Sequence, residues 1–296
     1  MLYDQIVEKT VIESGWSEDR KYRVVTSDGD IYLLRISAIE RYDSRVLEFK
    51  NMQKAAKMGL RICRPIEIGL CTDGCYELHE WIEGVDLSVL IGSYSQEKQY
   101  QLGVEAGRIL QHLHQIEVAD PLKFDWEEKF NQKLDQRIDR YLEEATQYEK
   151  GALMIDYIHQ HRKLLHSRSI VFQHGDFHLG NMMINRRGQL VVIDFDRSDY
   201  GDPWEEFNRI VWCMAFPAFA SGMIDGYFNQ SIPQDFWQLL ALYIVGNSIG
   251  SITWAEPYGA EQVAVIVKQA QEILEMYDDM TCEKMIPKWY QSYHRY

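Results

Sequence analysis

QHGDFHLGNMMINRRGQLVVIDFD, residues 173–196, is the stretch on which the reading of this 296-residue chain turns. It opens with His174-Gly175-Asp176, sets Asn181 five residues beyond Asp176, and turns back through Arg186-Arg187-Gly188. The apolar run Val191-Val192-Ile193 then delivers Asp194. Met182-Met183-Ile184 and Leu190–Ile193 read as two short strands joined by the glycine-bearing turn. Such a hairpin would bring Asp176, Asn181 and Asp194 to one end. A carboxylate such as Asp176 can orient a hydroxyl group and accept its proton. The Asn181 amide oxygen and the Asp194 carboxylate are hard donors suited to Mg²⁺ on nucleotide phosphates. A single aspartate in a turn ordinarily caps backbone N–H groups. Three polar side chains at these offsets around one hairpin point instead to phosphoryl transfer.

A second chemistry is written in the same residues. His174, Asp176 and His178 alternate along an extended segment, and such a trio could hold a metal and activate water in a hydrolase. That reading leaves Asn181 and Asp194 without a role. Composition narrows the field further. With 46 % hydrophobic and 12 % aromatic residues the chain can bury a substantial core. Lys and Arg number 31 against 45 Asp and Glu, a net charge of −14, which argues against a nucleic-acid backbone as partner and suits a cationic ligand. The five cysteines form no CxxC pair, so reduced thiols in the cytoplasm are the natural reading. Phe236–Ala255 is uncharged and long enough to raise a membrane question, but Gln238, Asn247, Ser248, Ser251, Thr253 and two glycines make it a buried core helix.

Upstream of the hairpin the pattern is mostly extended. Ile31–Arg35 reads as a strand entered through an Asp28-Gly29 turn. Asp43-Ser44 are placed to cap a helix over 43–58 that carries Phe49, Met52 and Ala56 on one face and ends at Gly59. Cys63–Ile68 and Tyr76–Leu78 read as two more strands. From Ser95 the period becomes helical, with Leu102, Ala106, Ile109 and Leu113 on one stripe. A second amphipathic segment carries Phe130, Leu134, Ile138, Tyr141 and Ala145. After the hairpin, Gly201-Asp202-Pro203 marks a turn in which Asp202 would cap a helix starting at Pro203.

HGDxxxxN, followed by an apolar strand and Asp194-Phe195-Asp196, resembles the aminoglycoside phosphotransferase family, the antibiotic-kinase branch of the protein-kinase-like fold. Gly175 stands where protein kinases carry the arginine of HRD, and Phe195-Asp196 replaces the end of DFG. The resemblance runs over residues 12–255 in element order. It implies a bilobal α+β fold: a small antiparallel-sheet lobe over 1–82 that binds nucleotide, and a mainly helical lobe over 83–296 that carries the catalytic loop and substrate site. It implies MgATP between the lobes as phosphate donor, with GTP the other possibility. Asp176 would be the catalytic base, and Asn181 and Asp194 the Mg²⁺ ligands. Ser17, in the loop Gly15–Tyr22, would touch phosphate. Arg35 departs from the family, which has a lysine on this strand, and would neutralise phosphate oxygens while Glu48 holds it in place. The Glu80 carbonyl and the Ile82 N–H would read the base. The implied acceptor is a small-molecule hydroxyl, an aminoglycoside first. A macrolide, a metabolic amino-alcohol or sugar, and a nucleotide-binding pseudokinase stay open, and oligomeric state is not indicated.

Overall fold

Five antiparallel strands form the N-terminal sheet: β1 (Ile6–Ile12), β2 (Arg20–Thr26), β3 (Ile31–Ser37), β4 (Pro65–Cys71) and β5 (Gly74–Glu80), in the order β1-β2-β3-β5-β4. The computed structural model describes residues 1–13, 19–118 and 124–293. Gly29, at φ +86°, makes the expected turn between β2 and β3, and its N–H donates to the Thr26 carbonyl. Val24, Leu34, Ile36, Tyr76 and Leu78 form the apolar core of this sheet. The strands expected at 63–68 and 76–78 are found as β4 and β5. Each is extended at the end where Gly74, at φ +135°, folds one onto the other.

Between β3 and β4 runs α1 (Tyr42–Lys57), which buries Phe49 and Met52 as its sequence predicts and is followed by Gly59 at φ +79°. Asp43 and Ser44 do not cap it. The helix starts behind Arg41, and the Ser44 hydroxyl instead donates to the Arg41 carbonyl. After β5 come β6 (Gly84–Asp86) and the single turn α2 (Leu87–Leu90). The chain then enters α3 (Gln96–Leu113), where the Ser95 hydroxyl accepts the Lys98 N–H at 3.2 Å, a working N-cap. In α4 (Trp126–Glu143), Phe130, Leu134, Ile138 and Tyr141 are buried as their spacing requires. Next are α5 (Gly151–His161) and β7 (Val171–Gln173). The hairpin read from the sequence follows as β8 (Met182–Asn185) and β9 (Leu190–Val192), with Gly188 at φ +72° in its turn. The remainder is β10 (Asp199–Gly201), a 3₁₀ stretch over Glu205–Cys213, then α6 (Pro217–Phe228), α7 (Phe236–Ala255), α8 (Ala260–Met276) and α9 (Lys288–Tyr293).

Contacts divide the chain into two units, Met1–Gly92 with Gly180–Ser198, and Ser93–Leu179 with Asp199–Tyr296. These do not coincide with a division at residue 82. β6 pairs with β8, and β8 with β9, which draws both 84–92 and 180–198 into the first unit. In the second unit β10 pairs with β7, α4, α5 and α8 pack against α7, and α3 packs against α6. Most of α7 is buried, and among the described residues no helix is long and apolar enough to cross a membrane.

The closest helix contact in the second unit is between α3 and α6, and glycine makes it possible. Gly103 and Gly107 of α3 face Gly222 and Gly226 of α6. A Cβ at any of the four would collide with a backbone carbonyl of the opposite helix, those of Phe219, Met223, Tyr100 and Val104 respectively. Gly107→Ala is therefore expected to overpack the pair and lower stability by about 1–3 kcal/mol, read as a lower urea midpoint with an unchanged slope. A midpoint equal to wild type would mean that these backbones do not meet.

Candidate active site

β2, β3 and β5 set three charged side chains side by side. In the ladder Lys21 lies opposite Arg35, and Arg35 opposite Glu77, so all three project from the same side of the sheet. The Asp28-Gly29 turn fixes this register, and it makes Lys21 a neighbour of Arg35 although fourteen positions separate them.

Asp194 meets these cations. Arg35 donates from Nη2 to Asp194 Oδ1 at 2.5 Å, and Lys21 from Nζ to Asp194 Oδ2 at 3.1 Å. Asp194 sits in left-handed backbone, φ +62°, a conformation Asp tolerates better than most residues. The Ile193 N–H donates to the Asn181 carbonyl at 3.0 Å, which ties the two proposed metal ligands to one another through the backbone. Burial alone would push the Asp194 carboxyl up, but Arg35 and Lys21 outweigh it and hold the group below its ordinary range. Burial likewise opposes the Arg35 charge, and Asp194 and Asp196 more than restore it.

Behind this pair lies a buried charge layer. Arg35 also has Asp19 and Asp196 at 3.6 Å. Arg45, on α1, binds Asp19, Asp196 and Glu48, the last at 2.8 Å. Arg41 reaches Asp19 and Asp196, each at 3.2 Å. Glu48 was expected to hold Arg35. It accepts from Arg45 instead, because Arg45 lies one turn earlier on the same helix face while the Arg35 fork is taken by Asp194. Glu77 has Arg45 Nε at 3.8 Å and, among the described residues, no hydrogen bond to either carboxylate oxygen. Burial first, then the charge of Glu48, pushes its carboxyl up to about 7, with Arg45 and Arg35 opposing.

Lys21, Arg35, Asn181 and Asp194 line the polar end of a cleft of about 830 Å³. Ile12, Leu33, Ile82, Met183 and Ile193 line it elsewhere, as does the Glu80–Asp86 segment. This size and this mixture of apolar wall with a few convergent polar groups fit a small-molecule ligand. The Glu80 side chain itself turns to Arg64, at 2.7 Å. Ser17 lies outside the described residues.

Asp176 belongs to the second unit, and its loop is built from backbone hydrogen bonds there. Glu206 accepts the His174 and Gly175 N–H groups at 2.7 and 2.8 Å, and Gly175 takes φ +81° to allow it. His114 Nε2 is 3.8 Å from the same carboxylate. His174 is fully buried, and its Nδ1 accepts the Asp176 N–H at 3.2 Å. The Asp176 carboxylate has Arg209 Nε at 3.1 Å and His178 Nε2 at 3.7 Å. His174, Asp176 and His178 do not form a ligand set, because the His174 ring is turned into the core and spent on backbone. Among the described residues no three His, Cys, Asp or Glu side chains converge to hold a metal. Asp202, expected as a helix cap before Pro203, is completely buried. It takes the Arg168 guanidinium, the Tyr243 hydroxyl at 2.9 Å and the Trp204 N–H at 2.7 Å, so it fixes the turn while the 3₁₀ stretch begins only at Glu205.

The sequence reading missed Lys21, Arg45, Glu206 and Arg209. Lys21 could have been found by counting strand register back from the Asp28-Gly29 turn, and Arg45 by its i,i+3 spacing to Glu48. Nothing in the local sequence around Glu206 or Arg209 signals their role.

An acid whose pKa is raised on folding stabilises the protein only while protonated. Stability should therefore fall as pH rises from the ordinary 4.5 of Glu77 towards about 7. Glu77→Gln is expected to remove this part of the slope, so that the variant gains on wild type between pH 5 and pH 8 in urea titrations. Parallel curves would place the ionised carboxylate in a satisfied site.

The model of a phosphotransferase enzyme family, APH, matches residues 9–240. No curated protein sequence matches the chain significantly. Similar solved structures include the amicoumacin kinase hAmiN in complex with AMP-PNP, Ca²⁺ and Ami, at 17 % identity, covering 98 % of this chain and 92 % of that one with TM-score 0.66. The apo form of a thermostable mutant of aminoglycoside phosphotransferase APH(4)-Ia gives 15 % identity, 92 % and 96 % coverage and TM-score 0.67. A choline/ethanolamine kinase family protein from Mesorhizobium loti gives 16 % identity, 92 % and 90 % coverage and TM-score 0.65. At these identities the likeness is one of fold, and the fold is the protein-kinase-like α+β architecture expected from residues 173–196.

Proposed function

The chain belongs to the phosphotransferase enzyme family, and on that premise we propose that it moves the γ-phosphate of ATP to a hydroxyl group of a small molecule, an aminoglycoside foremost. The observation that carries the donor half is the cleft of the first unit. Its polar end holds Lys21 and Arg35 beside Asn181 and Asp194, and Ile12, Leu33, Ile82, Met183 and Ile193 give it apolar wall that suits a base. Asn181 Oδ1 and the Asp194 carboxylate supply hard oxygen donors at that end, which fits Mg²⁺. Bound there, the ion would supply positive charge against the negative charge that develops during transfer. Glu80 and Ile82 hold the base through backbone, and GTP is the second donor to test.

Asp176 takes the acceptor half. Its loop is pinned by Glu206 and by His174, so the carboxylate is presented in a fixed orientation while its side chain keeps 21 % of its surface exposed. Arg209 Nε lies 3.1 Å from the carboxylate, which as the base accepts a proton from the substrate hydroxyl. Catalysis then rests mainly on positioning and charge neutralisation. Support for an amino-bearing acceptor comes from the net charge of −14 and from the fold neighbours, which include an amicoumacin kinase, an aminoglycoside phosphotransferase and a choline/ethanolamine kinase family protein. The five free cysteines support a reducing compartment, the cytoplasm.

Mg²⁺-dependent consumption of ATP and of GTP, each with panels of aminoglycosides, macrolides and amino-alcohols, tests the whole. Stimulation by one panel names the acceptor class. Nucleotide binding without stimulation by any panel would point to a pseudokinase. With a stimulating acceptor in hand, Asp176→Asn should cut kcat by about 10²–10⁴-fold and leave ATP affinity in place. Asp194→Asn should abolish the Mg²⁺-dependent part of ATP binding in calorimetry, and an unchanged affinity would remove Asp194 from the metal site.

A further inference from the structure

Two cations reach Asp194, and their commitments differ. Arg35 is 5 % exposed and has three carboxylates within 3.6 Å, those of Asp194, Asp196 and Asp19. Its planar fork is fixed by them, and withdrawing it would take from Asp194 its partner at Oδ1 and from Asp19 and Asp196 one of the cations of a poorly solvated layer. Among the described residues Lys21 has a single ion-pair partner, Asp194 Oδ2, met at the end of a flexible four-carbon stem, and it lines the cleft. A primary ammonium is a compact charge that can change partners by rotating about single bonds.

We propose that Lys21, and not the arginine on the neighbouring strand, is the cation that binds the phosphate chain of the nucleotide, and that it does so by leaving Asp194 Oδ2. Arg35 is then a positioning residue that keeps Asp194 in place through Oδ1. The exchange is balanced in charge: the ammonium passes from a carboxylate to a phosphate oxygen, and the vacated Oδ2 becomes available to the divalent ion that accompanies the nucleotide. This reassigns the role given to Arg35 from the sequence. It also explains why arginine is accepted on β3, since the ammonium needed at the phosphates arrives from β2 in the adjoining register position. The inference rests on the nucleotide reading of the cleft.

The test is calorimetric titration of wild type, Lys21→Met and Lys21→Arg with adenosine and with MgATP, the fold of each variant checked by thermal unfolding. Lys21→Met is expected to weaken MgATP binding by about tenfold or more and leave adenosine unchanged, as loss of one charge-assisted contact to phosphate requires. Lys21→Arg, which keeps the charge, should recover most of that loss. Equal MgATP affinity in wild type and Lys21→Met would overturn the lysine's role, as would parallel losses for adenosine and MgATP. If wild type itself binds neither ligand, the nucleotide reading of the cleft falls instead, and the inference with it.

Discussion

The Asp194 carboxylate, held between Arg35 and Lys21, is the interaction on which the first unit depends. Asp194 occupies left-handed backbone at the exit of a β-strand, a conformation that costs a non-glycine residue about 1–2 kcal/mol. Two charge-assisted hydrogen bonds from adjacent strands offset that cost and fix where the carboxylate points. The pair requires the β2–β3 register to be right to the residue, because a slip of one would turn Lys21 to the opposite face of the sheet from Arg35. The hairpin turn at Gly29 is thus as necessary to the site as any residue that lines it.

Around this pair the sheet and α1 sandwich charge rather than hydrocarbon. Four cations, Lys21, Arg35, Arg41 and Arg45, face five carboxylates, Asp19, Glu48, Glu77, Asp194 and Asp196. Such layers contribute little net stability, since desolvation offsets most of the attraction, but removing one member leaves another charge buried and unpaired. The layer is therefore a device for geometry. The second unit uses the same logic on a smaller scale, with Glu206 gathering two backbone N–H groups at the Asp176 loop and Asp202 gathering an arginine, a tyrosine and a backbone N–H.

The parts legible in the sequence are those whose cause is local. The Asp28-Gly29 turn, the Gly188 turn, the Ser95 cap and the apolar stripes of α3 and α4 each follow from a few neighbouring residues. The spacing of Asp176, Asn181 and Asp194 announced the family because that spacing is itself local. What could not be read was the choice among competing partners. Glu48 had Arg35 and Arg45 within possible reach, and only the packed structure shows that the arginine on its own helix takes it. Asp202 looked like a helix cap because Pro203 follows it, whereas tertiary contacts with Arg168 and Tyr243 claim its carboxylate. Lys21 fell inside the loop expected over Gly15–Tyr22, whereas it lies on β2, and its place beside Arg35 emerges only when strands are aligned.

The glycine contact between α3 and α6 bears on the order in which the protein is made. The helix that fills the groove of α3 is synthesised only after Gly180–Ser198 has been added to the chain, and that segment joins the other unit. Until α6 emerges from the ribosome, the glycine-lined face of α3 has nothing to lie against, and its backbone carbonyls stay open to water. That face is covered only by the late half of the second unit, so the contact closes a long loop and is of high contact order, which helix formation near the N-terminal end cannot complete by itself.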